Sequence, residues 1–363
     1  MQGFQFYNPA RIIFGENTQV QTGKWVAQYG GTKVLLHYGQ KSIKASGLFD
    51  EIVNNCKAAG LEIVELGGVV PNPRWSLVAE GIEIVRRENV DFILAVGGGS
   101  VIDSAKAIAM GAKYDGDLWS LFMKNGPIDS ALPLGVVLTI PAAGSESSSG
   151  TVITNEEGWY KRSMGSELII PKFAIINPQL HMTLPPYQVA CGIADIFAHL
   201  LERYFTQVDN VDYTDRLIEA SMKTLIHMAP RVFAQPDNLD VRNEIAWVGT
   251  LAHNNILNTG RIGDWGSHSI EHELSGIYDI AHGAGLAIVF PAWMRYVYKY
   301  NPARFEQFAR RVWDVDYAYD QQEVTILEGI ARYQRFMSSI GLPVTLQEAN
   351  IDDLRLEEMA DKC

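Results

Sequence analysis

Asp195 and His199 stand one helical turn apart, and a later stretch, HSIEHELSGIYDIAHG, adds His268, His272 and His282. Residues four apart in an α-helix share a face, with Cβ atoms roughly 5–6 Å apart, so Asp195 and His199 can hold one cation between them. A carboxylate with imidazoles suits zinc or ferrous iron, and the histidine content argues against calcium or magnesium. The nominated ligands are Asp195, His199, His268 and His282, with His272 as an extra imidazole. The competing reading is chance proximity among the eight histidines of the chain. Against it, GIADIFAHLLERYF sets a carboxylate into an otherwise apolar helical surface, where an unpaired charge is costly to bury and a metal would remove the cost.

A second group of residues could hold a phosphate. LAVGGGSVIDSAK places Gly97, Gly98, Gly99 and Ser100 after a buried strand and before a helix. Without Cβ atoms a pyrophosphate can approach the backbone, and the free N–H groups of the helix terminus favour an anion. The pattern is not GxGxxG, and it reads equally as a tight strand-to-helix turn with Ser100 as a cap. TIPAAGSESSSG (139–150) follows the next buried strand and offers Thr139, Ser145 and Ser147 to the same edge. The end of the strand LLHYGQKSIK bears on cofactor choice, because an acid there would accept from a ribose 2′-hydroxyl and repel a 2′-phosphate. Positions 37–42 carry none. Gly39 leaves space, and Lys41 and Ser42 can hold a phosphate unless Lys41 is simply an exposed loop lysine. This favours NADP(H) over NAD(H).

The elements that must position these groups change character midway. KVLLHY (33–38), FILAVGGG (92–99), LGVVLTIP (134–141) and FAIINP (173–178) read as buried strands separated by helical periodicity such as SGLFDEIVNNCKAAG. That alternation predicts a parallel sheet covered on both faces, with ligands beyond the carboxyl ends of its strands. After LPP at 184–186 the runs become long and helical, as in VACGIADIFAHLLERYFT, TDRLIEASMKTLIHMA and NEIAWVGTLAHNNILN. The expected class is α/β: a Rossmann-like parallel-sheet domain over 1–183 followed by an all-helical metal-binding domain over 184–363.

Composition narrows the partners. In 363 residues, 47% hydrophobic and 20% charged content is that of a globular protein. The excess of 42 acidic over 30 basic residues, a net −12, gives no basic field for nucleic acid. Cys56, Cys191 and Cys363 are odd in number and widely spaced, which suggests neither disulfides nor a thiolate metal site. The amino-terminal MQGFQFYNPARIIFGENT lacks a basic region followed by an apolar run, and no segment is long and apolar enough to cross a bilayer, so a cytoplasmic, membrane-free protein is expected. FQFYNPARIIFG could form an exposed strand pair that a second copy would cover, which predicts a homodimer.

Taken in order, RIIFG, PNP at 71–73, GGGSVIDSAK, TIPAAGSESS, INPQLHMTLPP, GIADIFAHLLE, HSIEHELS and the later AHG resemble the iron-containing, or group III, alcohol dehydrogenase family, and within it the NADPH-dependent butanol dehydrogenase and aldehyde reductase branch. The resemblance spans nearly the whole chain. It implies a dehydroquinate synthase-like two-domain fold with the metal in the cleft, held by Asp195, His199, His268 and His282. It also implies cofactor contacts from Gly39 and Ser42 near the adenosine ribose, and from Asn72, Gly98, Gly99, Ser100 and Asp103 at the diphosphate. Thr139, Ser145, Lys161 and Leu180 would lie along the nicotinamide half. Family chains usually continue through a further helix where this one ends in LRLEEMADKC. The implied chemistry is hydride transfer between NADP(H) and a primary alcohol or aldehyde, with the cation as Lewis acid and His272 as proton relay or as support for the metal. Trp119, Phe122, Trp159, Trp265 and Tyr278 would supply apolar walls. A polyol dehydrogenase is the nearer alternative. A dehydroquinate synthase-like lyase is the more distant, because the helical half lacks a basic cluster for a phosphorylated substrate.

Overall fold

A computed structural model describes residues 1–124 and 126–363. Contacts divide the chain into two units, Tyr7–Thr183 and Leu184–Cys363 together with Met1–Phe6. The first residues fall with the helical unit because the Gln2 N–H donates to the Gly260 carbonyl at 3.0 Å.

The first unit is a six-stranded, all-parallel sheet. Its strands are β1 (Arg11–Phe14), β2 (Lys33–Tyr38), β3 (Glu62–Leu66), β4 (Phe92–Gly97), β5 (Leu134–Leu138) and β8 (Phe173–Ile176), in the spatial order β1-β8-β5-β4-β2-β3. β6 (Gly150–Asn155) and β7 (Tyr160–Gly165) form a separate antiparallel hairpin. The central strands β2, β4, β5 and β8 are apolar runs buried almost throughout, as a sheet covered on both faces requires. They are the four strands expected from hydropathy. The others lacked that signal: β1 and β3 lie at the two edges and are only partly buried, and the hairpin is polar. The expected exposed strand pair near the amino terminus reduces to the single strand β1.

The order of the sheet fixes where a ligand can sit. From β2 the chain steps outward to β3, then returns across β2 to build β4, β5 and β8 on the other side. The crevice between the carboxyl ends of β2 and β4 is therefore the topological switch point of the sheet, where open α/β sheets bind ligands.

The second unit contains helices and no strand among its described residues. Its centre is the helix Pro186–Tyr204, with 15 of 19 residues buried, most of them apolar, and with Asp195, His199, Glu202 and Arg203 as the buried polar exceptions. Packed on it are Asp212–Ala234, Leu239–His253 and His282–Val297, and Gly266–Tyr278 packs in turn on the last of these. Among the described residues, no helix is long and apolar enough to cross a membrane.

Candidate metal centre and dinucleotide edge

Asp195 and His199, each 5% exposed, sit on one face of the central helix. His268 lies in the first turn of Gly266–Tyr278, and His282 opens His282–Val297. Close approach of these helices depends on two glycines. A Cβ on Gly283 would stand 2.0 Å from the Cys191 carbonyl oxygen of the central helix, and one on Gly285 would meet Glu271 Oε1 at 2.5 Å. The AHG segment thus carries a packing requirement beside its histidine.

The nominated ligands converge. One ligating atom each of Asp195, His268 and His282 lie within 4.8 Å of one another. His199 Nε2 is 3.4 Å from Asp195 Oδ1, and its ring centroid is 4.8 Å from that of His268. Four donors at roughly 2.0–2.2 Å from one ion would need this order of separation.

The hydrogen bonds behind the rings indicate which nitrogen of each faces inward. His268 Nδ1–H donates to Glu202 Oε1 at 2.7 Å, and His268 Nε2 is buried with no hydrogen-bond partner among the described residues. His282 Nδ1–H donates to the buried Glu271, and its Nε2 lies 3.9 Å from Asp195 Oδ1. Behind His199 stands Arg203, a guanidinium that can only donate. Arg203 Nη2 approaches His253 Nδ1 at 3.5 Å, so that nitrogen accepts, and His199 Nδ1–H donates to it at 2.8 Å. Burial, followed by the neighbouring His253, His268, Arg203 and His282, holds the His199 imidazole well below its ordinary range, so it is neutral. Its Nε2 lone pair then faces an oxygen of Asp195. Three imidazole lone pairs and a carboxylate turned toward one point, with every side chain but His282 buried, are a donor set that a divalent cation fits.

Glu202, Glu271, His253 and Arg203 were not singled out from sequence. Three carry a local signal: Glu202 and Arg203 are three and four residues beyond His199, and Glu271 is three beyond His268, all at helical spacing. His253 and the direction of its hydrogen bond carry none. His272 is half-buried one turn beyond His268, its ring centroid 5.6 Å from that of His282 and 6.4 Å from that of His268. Of the expected aromatic walls, Trp265 packs edge-on against His199, His253 and His268. Tyr278 instead donates to Asp352, Trp119 and Phe122 stack on each other beside Trp75, and Trp159 lies under Arg74.

In the sheet unit the nominated cofactor residues gather at the carboxyl ends of the strands. Gly39 and Ser42 follow β2, Gly98, Gly99 and Ser100 follow β4, Thr139 and Ser145 follow β5, and Leu180 follows β8. Lys41 and Ser42 are exposed. Asn72 has φ +54° and accepts from Lys161 Nζ at 3.0 Å. The hairpin carrying Lys161 is itself tied to the segment before Trp75, where the Thr154 N–H donates to the Pro73 carbonyl at 2.8 Å. Asp103 turns its carboxylate to protein groups, accepting from Ser145 Oγ at 2.6 Å and from the Val152 N–H at 3.0 Å.

Residues 9–178 match the family described as iron-containing alcohol dehydrogenase, and residues 189–363 match its C-terminal family. A Bacillus subtilis protein named "Probable NADH-dependent butanol dehydrogenase 1" is 45% identical over 362 residues, which cover 100% of this chain and 93% of that one. The NADPH-dependent aldehyde reductase YqhD of Escherichia coli is 34% identical over 365 residues, with coverage of 100% and 93%. Among solved structures, NADH-dependent butanol dehydrogenase A of Thermotoga maritima superposes with a TM-score of 0.97 at 42% identity, covering 100% of this chain and 90% of that one.

Proposed function

Because the chain belongs to the iron-containing alcohol dehydrogenase family and is therefore a metal-dependent alcohol/aldehyde oxidoreductase, we propose that it reduces aldehydes to primary alcohols with NADPH, at a divalent ion held by Asp195, His199, His268 and His282. The observation that carries the ligand set is the inward-facing Nε2 of each imidazole, each with its Nδ1 occupied by a separate partner. Bound there, a divalent iron or zinc ion supplies Lewis-acid polarisation of the substrate oxygen, and a reduced nicotinamide supplies the hydride.

The chain's own groups do the rest. Glu202, Glu271 and His253 hold the protons on the three Nδ1 atoms, which keeps every Nε2 lone pair available. His272, one helical turn from a ligand yet not committed as one, would hold the proton for the substrate oxygen. Gly98, Gly99 and Ser100 at a helix N-terminus, with Asn72, receive the diphosphate. Thr139, Ser145, Lys161 and Leu180 border the nicotinamide half, and Asp103 serves the diphosphate turn by holding Ser145.

The choice of NADP(H) rests on the turn after β2, where Gly39, Gln40, Lys41 and Ser42 present a cation and a hydroxyl and no carboxylate. The relatives divide on this point: the Bacillus and Thermotoga proteins are named for NADH and the Escherichia coli reductase for NADPH. Edge strand β1 is proposed to pair two copies into a homodimer, and three free cysteines suit the cytoplasm.

Metal analysis of the purified enzyme, with oxidation of NADPH and of NADH followed against butanal, glyoxal and a glycerol-type substrate, tests this reading. The expected result is about one ion per chain and a kcat/KM at least tenfold higher with NADPH, a difference of about 1.4 kcal/mol. Silence with every aldehyde at full metal content would overturn the reductase reading, and equal or better use of NADH would overturn the cofactor choice.

A further inference from the structure

Lys106 is fully buried in the helix Gly99–Gly111, although burying an ammonium costs several kcal/mol unless every proton finds an acceptor. Its Nζ donates to Ser145 Oγ at 2.9 Å, to the Ser148 carbonyl at 2.9 Å and to the Gly150 carbonyl at 2.8 Å. All three acceptors belong to one polar segment, residues 145–152, which follows β5 and runs into the first residues of β6. One turn earlier on the same helix, Asp103 holds that segment from a second point: its carboxylate takes Ser145 Oγ and the Val152 N–H, and its carbonyl takes Thr151 Oγ1 at 2.8 Å. Ser145 Oγ is thereby fixed in both roles, accepting from Lys106 and donating to Asp103. Burial pushes the Lys106 ammonium down to about 8, opposed by the carboxylates of Asp103 and Glu146.

These bonds join two turns of the carboxyl edge. The helix that carries Lys106 begins at Gly99 after β4, and the segment it grips begins at Ser145 after β5. We propose that Lys106 is a positioning residue: its buried Nζ locks the Ser145 turn to the helix that begins at Gly99, so that two separate loops meet one dinucleotide as a single preorganised surface. This rests on the reading that a nicotinamide dinucleotide binds along this edge. Lys106 touches no cofactor itself. Its work is to remove the freedom of a serine-rich segment before binding, where that ordering would otherwise weaken affinity.

The test compares wild type with Lys106→Met, which keeps the length of the side chain and removes its donors. NADPH and NADH are titrated by tryptophan fluorescence, and steady-state kinetics and amide hydrogen exchange accompany the titrations. The expected result is a Kd and a cofactor KM raised on the order of 10–100-fold, with kcat at saturating cofactor within about threefold of wild type. Exchange should accelerate in residues 145–152, and bound metal should be unchanged. A folded Lys106→Met enzyme with wild-type Kd overturns the proposal, whatever its melting temperature. If that variant does not fold, Ser148→Ala removes a hydroxyl that accepts from Lys106 Nζ at 3.3 Å without touching a proposed cofactor contact. It should raise Kd about two- to fivefold with faster exchange confined to the segment, and an unchanged Kd again overturns the proposal. Wild-type enzyme that binds neither dinucleotide sinks the oxidoreductase reading as well, whereas wild-type binding with unaffected variants sinks the role of Lys106 alone.

Discussion

Replacing Glu202 with glutamine should loosen the metal without unfolding the protein. The Glu202 side chain is entirely buried, and three donors point at its two oxygens: His268 Nδ1 at 2.7 Å, the His268 N–H at 3.1 Å and the Trp265 N–H at 2.6 Å. A glutamine amide offers one oxygen and one NH2. With the oxygen toward His268, its NH2 opposes the Trp265 N–H. With the amide flipped, His268 must accept at Nδ1, and its proton moves to Nε2, where it blocks the lone pair meant for the ion. Either arrangement leaves a buried donor unsatisfied, at a cost of about 1–3 kcal/mol. Loss of an outer partner to a metal-bound histidine typically lowers metal affinity 10–100-fold, which is about 1.4–2.8 kcal/mol and agrees with that cost. Zn2+ or Co2+ titrated into apo-enzyme against a chromophoric chelator reads the change directly, and thermal unfolding of the apo forms serves as control. Wild-type metal affinity in a folded Glu202→Gln enzyme would refute the tautomer argument and with it the inward-facing assignment of His268.

Other consequences follow from the same geometry. Gly283→Ala puts a methyl where the Cys191 carbonyl lies 2.0 Å away, so the helix that begins at His282 must move; metal stoichiometry should fall well below one, and full occupancy would contradict the packing account. His272→Ala should reduce aldehyde turnover roughly 100-fold and flatten the pH dependence of kcat near neutrality, the scale expected for a lost proton donor, while an unchanged profile would leave His272 only a supporting role. His37 is fully buried between the Leu66 carbonyl and Ser104 Oγ, and burial lowers its pKa from 6.5 to about 4. The unfolded chain therefore binds a proton that the folded chain refuses between those pH values, and stability is lost as pH falls from 6.5 toward 4, by about 3 kcal/mol in all. Urea unfolding of wild type at pH 7 and pH 4.5 should show this loss superimposed on that of the carboxylates. His37→Gln should lose distinctly less across the same interval, and equal losses would remove His37 from the account.

Local repetition made much of this molecule readable before any coordinates. An apolar run that closes on glycine or proline becomes a buried strand wherever it lies, and a four-residue spacing brings Asp195 and His199 to one face of any helix. The four central strands, the helical character of the chain after residue 184, and the shared face of Asp195 and His199 could therefore be read from sequence alone. The edge strands β1 and β3 and the polar hairpin could not, because their partial burial leaves no clean hydropathy pattern.

Packing decided what repetition could not. The order of the sheet, and hence the switch point at β2 and β4, depends on which crossovers the chain takes. His253 meets His199 across 54 positions of sequence, and Lys106 meets Ser145 across 39. No periodicity reports such pairs, because their spacing in sequence is set by the intervening loops. The sequence by itself singled out a carboxylate and imidazoles at spacings that suit a cation; which nitrogen of each ring faces inward, and which serine turn a buried lysine holds, arise only where separate elements come within hydrogen-bond distance and buried polar atoms must find partners.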